Sequence, residues 1–273
     1  MRKGVEIAEK KRKPFYNASY RVFKSAYESM LHDVSEQIEL GLSLVTNPTE
    51  EAYQRIFDSA ANNMPKKYID NAFLATYLRT GVWFANDQYE SIFSQKSFVK
   101  KQIAELDEEW VSYFNQLIRS AEITELISSS YLSTVKRLKD IAKPIIIETL
   151  AKGYSIRKAS QEILRQVGKE WNRTNRFNAA RIARTEVLTA SNAGSIQGAL
   201  STGLEMEKFW IDTRDNRERS THLTAGKDER NQKTPIKGNF HVAGELAQFP
   251  GDLKLSARER IQCRCTQGFR VVG

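Results

Sequence analysis

No run of about 18 apolar residues occurs in the chain, which excludes a membrane-spanning helix. The opening MRKGVEIAEKKRKPFY is basic but has no apolar core, so it does not read as a secretory signal, and an intracellular setting is expected. Cysteine is nearly absent. Two occur in 273 residues, both in one Cys-x-Cys, and a bridge closed across a single residue would be strained. No disulfide framework follows, and reduced thiols suit a cytosol. There is no Gly-x-x-x-x-Gly-Lys-Ser/Thr loop to cradle a nucleotide and no Asp/Glu cluster for paired Mg²⁺. Low-complexity linkers, a repeat period and sustained heptads are also missing, which removes solenoids and extended coiled coils.

What remains is ordinary material for a folded protein, with 40% apolar and 10% aromatic residues. The charge is unevenly placed. Residues 1–140 carry 19 Lys+Arg against 19 Asp+Glu, and residues 141–273 carry 23 against 14, so the whole net charge of +9 lies in the second half. Such asymmetry suggests an anionic partner there, nucleic acid being the usual one. The neutral, aromatic-rich first part suits contact with protein.

The first 13 residues are charged and are expected to fray. From Tyr16, apolar positions at Tyr20, Phe23, Tyr27, Met30, Val34 and Ile38 mark one helical face, closed by Gly41 and Asn47-Pro48. A second helix fits Glu50–Asn63, with Thr49 as N-cap and Pro65 as stop. Residues 68–83 are ambiguous. Ile103, Leu106, Trp110, Tyr113 and Leu117 form another stripe. The next runs to Pro144, with 145–150 able to resume it. Ser155 caps a helix that Gly168 is expected to end, and the best-defined helix covers 176–202 before Gly203.

After Gly203 the pattern changes. Lys208–Ile211, Asn239–Ala243, Arg260–Arg264 and Phe269–Val272 read as short strands, with turns at Asp215-Asn216 and Phe249-Pro250-Gly251-Asp252. The fold class is therefore α+β: a mainly helical N-terminal part followed by a small α+β C-terminal domain with a few short strands. A division into 1–140 and 141–273 follows.

Within 176–202, Ala179, Ala183, Val187 and Ala190 share a small-residue face, and Arg181, Arg184, Thr185 and Asn192 fall on the opposite one. The second set reads either as a solvated polar face or as a dock for a phosphate or a partner's carboxylates, with Arg217 and Arg219 as further cations. His222, Cys263 and Cys265 form a second constellation. Two thiolates and an imidazole can hold zinc, although Cys-x-Cys is tighter than the usual structural spacing. The same residues also fit a buried core cluster or a Cys–His nucleophile pair.

The last 120 residues or so resemble the phage head morphogenesis family, the Mu F-like minor head proteins. The resemblance rests on Arg181-x-x-Arg184-Thr185-Glu186, Asn192, Trp210, Arg219-x-x-His222 with Gly226, the Phe249-Pro250-Gly251-Asp252 turn and Cys263-Arg264-Cys265, in that order. Gln262 departs from the family's usual Asn before Cys-Arg-Cys. The resemblance implies a minor capsid protein of a tailed bacteriophage, made in the host cytoplasm and carried in the virion. Its implied partners are the portal and other capsid proteins. The basic second half adds non-specific contact with DNA, and the lack of an apolar run leaves no membrane partner. The resemblance implies no agreed reaction. The alternative is a delivered effector, either a nuclease using His222 and His241 with Arg217 or Arg219, or an ADP-ribosyltransferase using Arg184, Ser220-Thr221 and Glu259.

Overall fold

A computed structural model describes residues 3–47, 49–94, 103–215 and 217–272, apart from the side chains of Ile103 and Ala104. Pro48 and Asn216, on which two turn expectations rest, lie outside the described residues, as does the Ile103 side chain. The protein is α+β. Long helices come first: α1 (Lys3–Ser43), α2 (Glu50–Asn62), α3 (Lys67–Phe93), α4 (Ile103–Ile118), α5 (Ala121–Ala151) and α6 (Ile156–Ser201). Five short strands follow, β1 (Met206–Ile211), β2 (Thr234–Pro235), β3 (Phe240–Val242), β4 (Glu245–Ala247) and β5 (Thr266–Val271), together with the short helices α7 (Ser220–Lys227) and α8 (Ala257–Arg260).

Two helix boundaries differ from the sequence expectation, and the resumption expected after Pro144 occurs without a break. Helix α1 begins at Lys3 instead of fraying through residue 13. Val5, Arg12, Phe15 and Ser19 are buried at helical spacing, so the face that continues through Phe23 and Met30 already exists in the charged stretch. Helix α5 runs through Pro144, with Ile145 and Ile146 buried directly after it. Helix α6 runs through Gly168 without a break. Ile163, Val167 and Trp171 bury one face across that glycine, and their packing outweighs its intrinsic cost of about 1 kcal/mol.

The chain forms two compact units, and sequence order does not separate them. One comprises Arg21–Ala72 and Glu125–Ala180. It is all helix, centred on Trp171, whose indole N–H donates to the Tyr27 carbonyl at 3.0 Å and whose ring meets Tyr27 edge-on. Thr49 caps α2 by accepting from the Ala52 N–H.

The other unit comprises Met1–Tyr20, Phe73–Thr124 and Arg181–Gly273. Its spine is the end of α6, where residues 185–194 are all buried. Helices α3 and α6 touch there backbone to backbone. A Cβ placed on Gly194 would lie 2.2 Å from the Gly81 carbonyl oxygen, and one on Gly198 would lie 2.0 Å from that of Ala85. Two glycines one turn apart thus allow an approach that no side chain permits.

Strands β2, β1 and β5 form an antiparallel sheet in that order, with Trp210 opposite Gln267. Strands β3 and β4 pair as a hairpin. Its turn residues, Ala243 and Gly244, both have positive φ, as a type I′ turn requires. The strand expected at Arg260–Arg264 does not form. Residue 260 ends α8, and Gln262 takes the left-handed conformation (φ 56°), which breaks any extended run before β5.

Candidate functional site

His222 sits on α7, and Cys263 and Cys265 sit in the bend between α8 and β5. All three are buried, beside Trp210, Phe240, Val242 and Leu255. His222 Nδ1 lies 3.5 Å from Cys263 Sγ and 3.4 Å from Cys265 Sγ. These three donor atoms lie within 4.8 Å of one another. The Cys265 backbone N–H donates to Cys263 Sγ at 3.4 Å. On the far side of the ring, His222 Nε2 lies 3.1 Å from Glu259 Oε2, at ion-pair distance but off the line of a good hydrogen bond. Thr221 donates its hydroxyl to the same carboxylate oxygen at 2.8 Å.

Electrostatics couple this group. The Cys265 thiol, by hydrogen bonding to Cys263, holds the Cys263 pKa well below the ordinary thiol value, with His222 adding to the effect against the cost of burial. Cys265 moves the other way, raised by the same bond to Cys263 and by burial. Burial pulls His222 down, but the bond to Cys263 and the charges of Cys263 and Glu259 outweigh it, so its pKa ends raised. Arg264 projects away from the group and binds Asp215, holding that carboxylate at about 2.

The remaining sequence candidates fall into two sets. Thr185 and Asn192 are buried and fully engaged. Thr185 Oγ1 donates to the Arg181 carbonyl and accepts from the Gln262 N–H at 3.2 Å. Asn192 Nδ2 donates to the carbonyls of Pro250 at 2.7 Å and Cys265 at 3.3 Å. Arg181, Arg184 and Arg217 are exposed. Arg184 lies over the Tyr16 ring, and Arg217 keeps a loose 3.8 Å pairing with Asp215. Arg219 is partly buried, and its guanidinium donates to the Ile261 carbonyl. Of the two histidines in the nuclease alternative, His222 is buried and His241 is exposed.

Several working residues carry little signal in the sequence. Arg12 enters this unit from α1, with Nε donating to Ser191 Oγ at 2.7 Å and Nη2 to Asn192 Oδ1 at 2.6 Å. Nη1 stands 3.6 Å from Glu9, an ion pair without a hydrogen bond. Glu186 is buried between Arg260 Nη1, at 3.1 and 3.2 Å, and the Tyr77 hydroxyl at 2.8 Å. Nothing near Glu186 in the sequence announces these partners, which lie 74 and 109 residues away.

The short motifs of the C-terminal half therefore bond to one another. Thr185, Thr189 and Asn192 of α6 hold Gln262, Gly251 and the Pro250 and Cys265 carbonyls, and the Thr189 hydroxyl donates to the Gly251 carbonyl at 2.8 Å. Residues 140–268 match the family model described as Phage Mu protein F like protein. The C-terminal region is Mu F-like. The chain is also similar to the Uncharacterized protein YqbB of Bacillus subtilis (strain 168), 24% identical over 192 residues. The alignment covers 67% of this chain and 61% of YqbB, so it spans less than two thirds of that relative. No solved structure matches. No described helix is long and apolar enough to cross a membrane.

Proposed function

We propose that this chain is a minor head protein of a tailed bacteriophage that joins the portal during head assembly and lies against the packaged DNA. The observation that carries the reading is the Mu F-like match over residues 140–268, several of whose motif residues, among them Thr185, Asn192, Pro250 and Cys265, meet in one bonded joint. The portal is the partner the family resemblance implies. The DNA part rests on the +9 net charge, all of it in the second half. Arg181, Arg184 and Arg217 are among the exposed cations of that half.

The test uses the full chain, because Met1–Tyr20 and Phe73–Thr124 belong to the same compact unit as Arg181–Gly273. Mass spectrometry of purified particles should find the protein, and co-expression with the portal of the same phage should co-purify both. Particles with portal but without this chain would reject the reading. Binding of the chain to duplex DNA should weaken as salt rises, because phosphate contacts release counterions. Charge reversal at Arg181 and Arg217 should weaken it further. Binding that ignores salt, or no binding at low salt, removes the DNA part and leaves the portal part standing.

A further inference from the structure

We propose that His222, Cys263 and Cys265 bind one zinc ion, with Glu259 and Trp210 orienting the ligands. The inference stands on this chain's own geometry and does not depend on the head assembly reading.

The spacing of the donor atoms comes first. Zinc takes thiolate sulfur at about 2.3 Å and imidazole nitrogen at about 2.0–2.1 Å in a tetrahedron, which sets each sulfur–nitrogen edge near 3.6 Å. The two edges here are 3.5 and 3.4 Å. All three donors lie within 4.8 Å of one another and converge from α7 and from the bend some 40 residues later. Two thiolates and an imidazole form a donor set that zinc favours over harder cations such as Mg²⁺ or Ca²⁺.

The surroundings are those of metal ligands. A ligating histidine characteristically presents its other nitrogen to a carboxylate, which fixes the tautomer and the ring angle. His222 turns Nδ1 to the sulfurs and Nε2 to Glu259, and Thr221 holds that carboxylate in place. One of the sulfurs also has an N–H donor. The Cys265 backbone N–H meets Cys263 Sγ. The Trp210 indole N–H is buried without a hydrogen-bond acceptor, and its ring meets the His222 ring edge-on with centroids 5.7 Å apart. Three protein donors leave the fourth corner for a water molecule.

The fold gives such an ion something to do. The cluster joins α7 to the approach to β5, in a region whose strands are two to six residues long. A structural metal supplies the cross-link that short strands do not.

The test loads the full-length, tag-free chain with zinc under reducing conditions and removes free metal by gel filtration. Elemental analysis should find one zinc per chain. Cobalt(II) loaded in its place should show a thiolate-to-cobalt charge-transfer band and the intense visible bands of four-coordinate cobalt. That band reads out these residues without any variant, because Cys263 and Cys265 are the chain's two cysteines. C263S, C265S and H222N should each lose stoichiometric zinc, whereas H32A and H241A should keep it. E259Q should keep the stoichiometry and bind about 10–100-fold more weakly, as loss of an orienting partner does. No zinc above background in the loaded wild-type chain, or cobalt bound without the sulfur band, overturns the proposal.

Discussion

Arg12 and Asn192, separated by 180 residues, share a 2.6 Å hydrogen bond in a site where each side chain is 1% exposed. Asn192 has nothing left to offer a ligand. Its Oδ1 accepts from Arg12 and from the Thr266 hydroxyl, its Nδ2 donates to two carbonyls, and its own carbonyl accepts from Gln267. The first helix thus supplies the cation that completes a joint made otherwise of C-terminal residues.

Replacing Arg12 with Met should cost about 3 kcal/mol, since it removes charge-assisted bonds and leaves Ser191 and Asn192 short of a donor in a buried site. Urea unfolding of the full chain measures it. A loss under about 0.5 kcal/mol, the range of ordinary surface changes, would mean the guanidinium is not buried as described.

Gly194→Ala and Gly198→Ala should each destabilise by about 1–3 kcal/mol, the usual range for forced overpacking. The added methyl meets backbone carbonyls of α3, which cannot rotate aside as a side chain can. Gly153→Ala is not the matching control, because that residue has a positive φ. Gly168→Ala is the better one, as its nearest neighbour is the flexible Leu31 side chain at 4.0 Å. It should leave stability unchanged or raise it. Equal melting temperatures for Gly194→Ala and the parent would refute the close helix contact.

Gln262→Asn should stabilise the protein by about 0.5–1 kcal/mol, because asparagine tolerates the left-handed region better than glutamine. The Gln262 side chain is exposed, and its backbone N–H makes the bond to Thr185. The family's usual asparagine at this place therefore has a backbone reason. Differential scanning calorimetry should show a rise in Tm of a few degrees at most, and a fall would contradict this account.

Lys208 gives a pH signature. Burial lowers its pKa from 10.5 to about 8, with Asp252 pulling the other way. Its ammonium donates to the Gln248 carbonyl at 2.6 Å, beside the Phe240 ring. Between about pH 8 and 10.5 the unfolded chain holds a proton that the native state has released, so this residue's contribution to stability rises with pH. Below that window the cost of burying the charged form is fully present. Lys208→Met removes the titration. The stability of the wild type relative to the variant should therefore increase between about pH 7.5 and about pH 10. A constant difference would show that Lys208 titrates normally.

Features that depend on local rules were readable from the chain itself. Thr49 before Glu50, Gly203 after α6, and the β-prone residues around Trp210 each act through their neighbours, and each appears where the local rule puts it. The failures share a cause, which is that a distant partner decided the outcome. Arg12 lies in a basic stretch and looks solvated, because nothing nearby announces Ser191 and Asn192. Gly168 looks like a stop until Trp171 is seen to be buried. Gly194 and Gly198 carry a readable signal, two glycines one turn apart, but its meaning needs α3 beside them. The Ala243-Gly244 turn lacks the Asn-Gly form that would have announced a hairpin. His222, Cys263 and Cys265 were nameable as a constellation, whereas Glu259 behind the imidazole was nameable only as a residue of a different chemistry.

The burial of Arg12 also sets an order of events at the ribosome. The acceptors it needs, Ser191, Asn192 and Thr266, leave the exit tunnel long after it does. At about 5–20 residues per second, the interval before Asn192 is made is on the order of ten seconds or more. Throughout that time the apolar face of the first turns of α1 and the Arg12 guanidinium lack the partners that bury them. The nascent chain should therefore bind a holding chaperone early and be released late, which crosslinking of stalled nascent chains of increasing length would show.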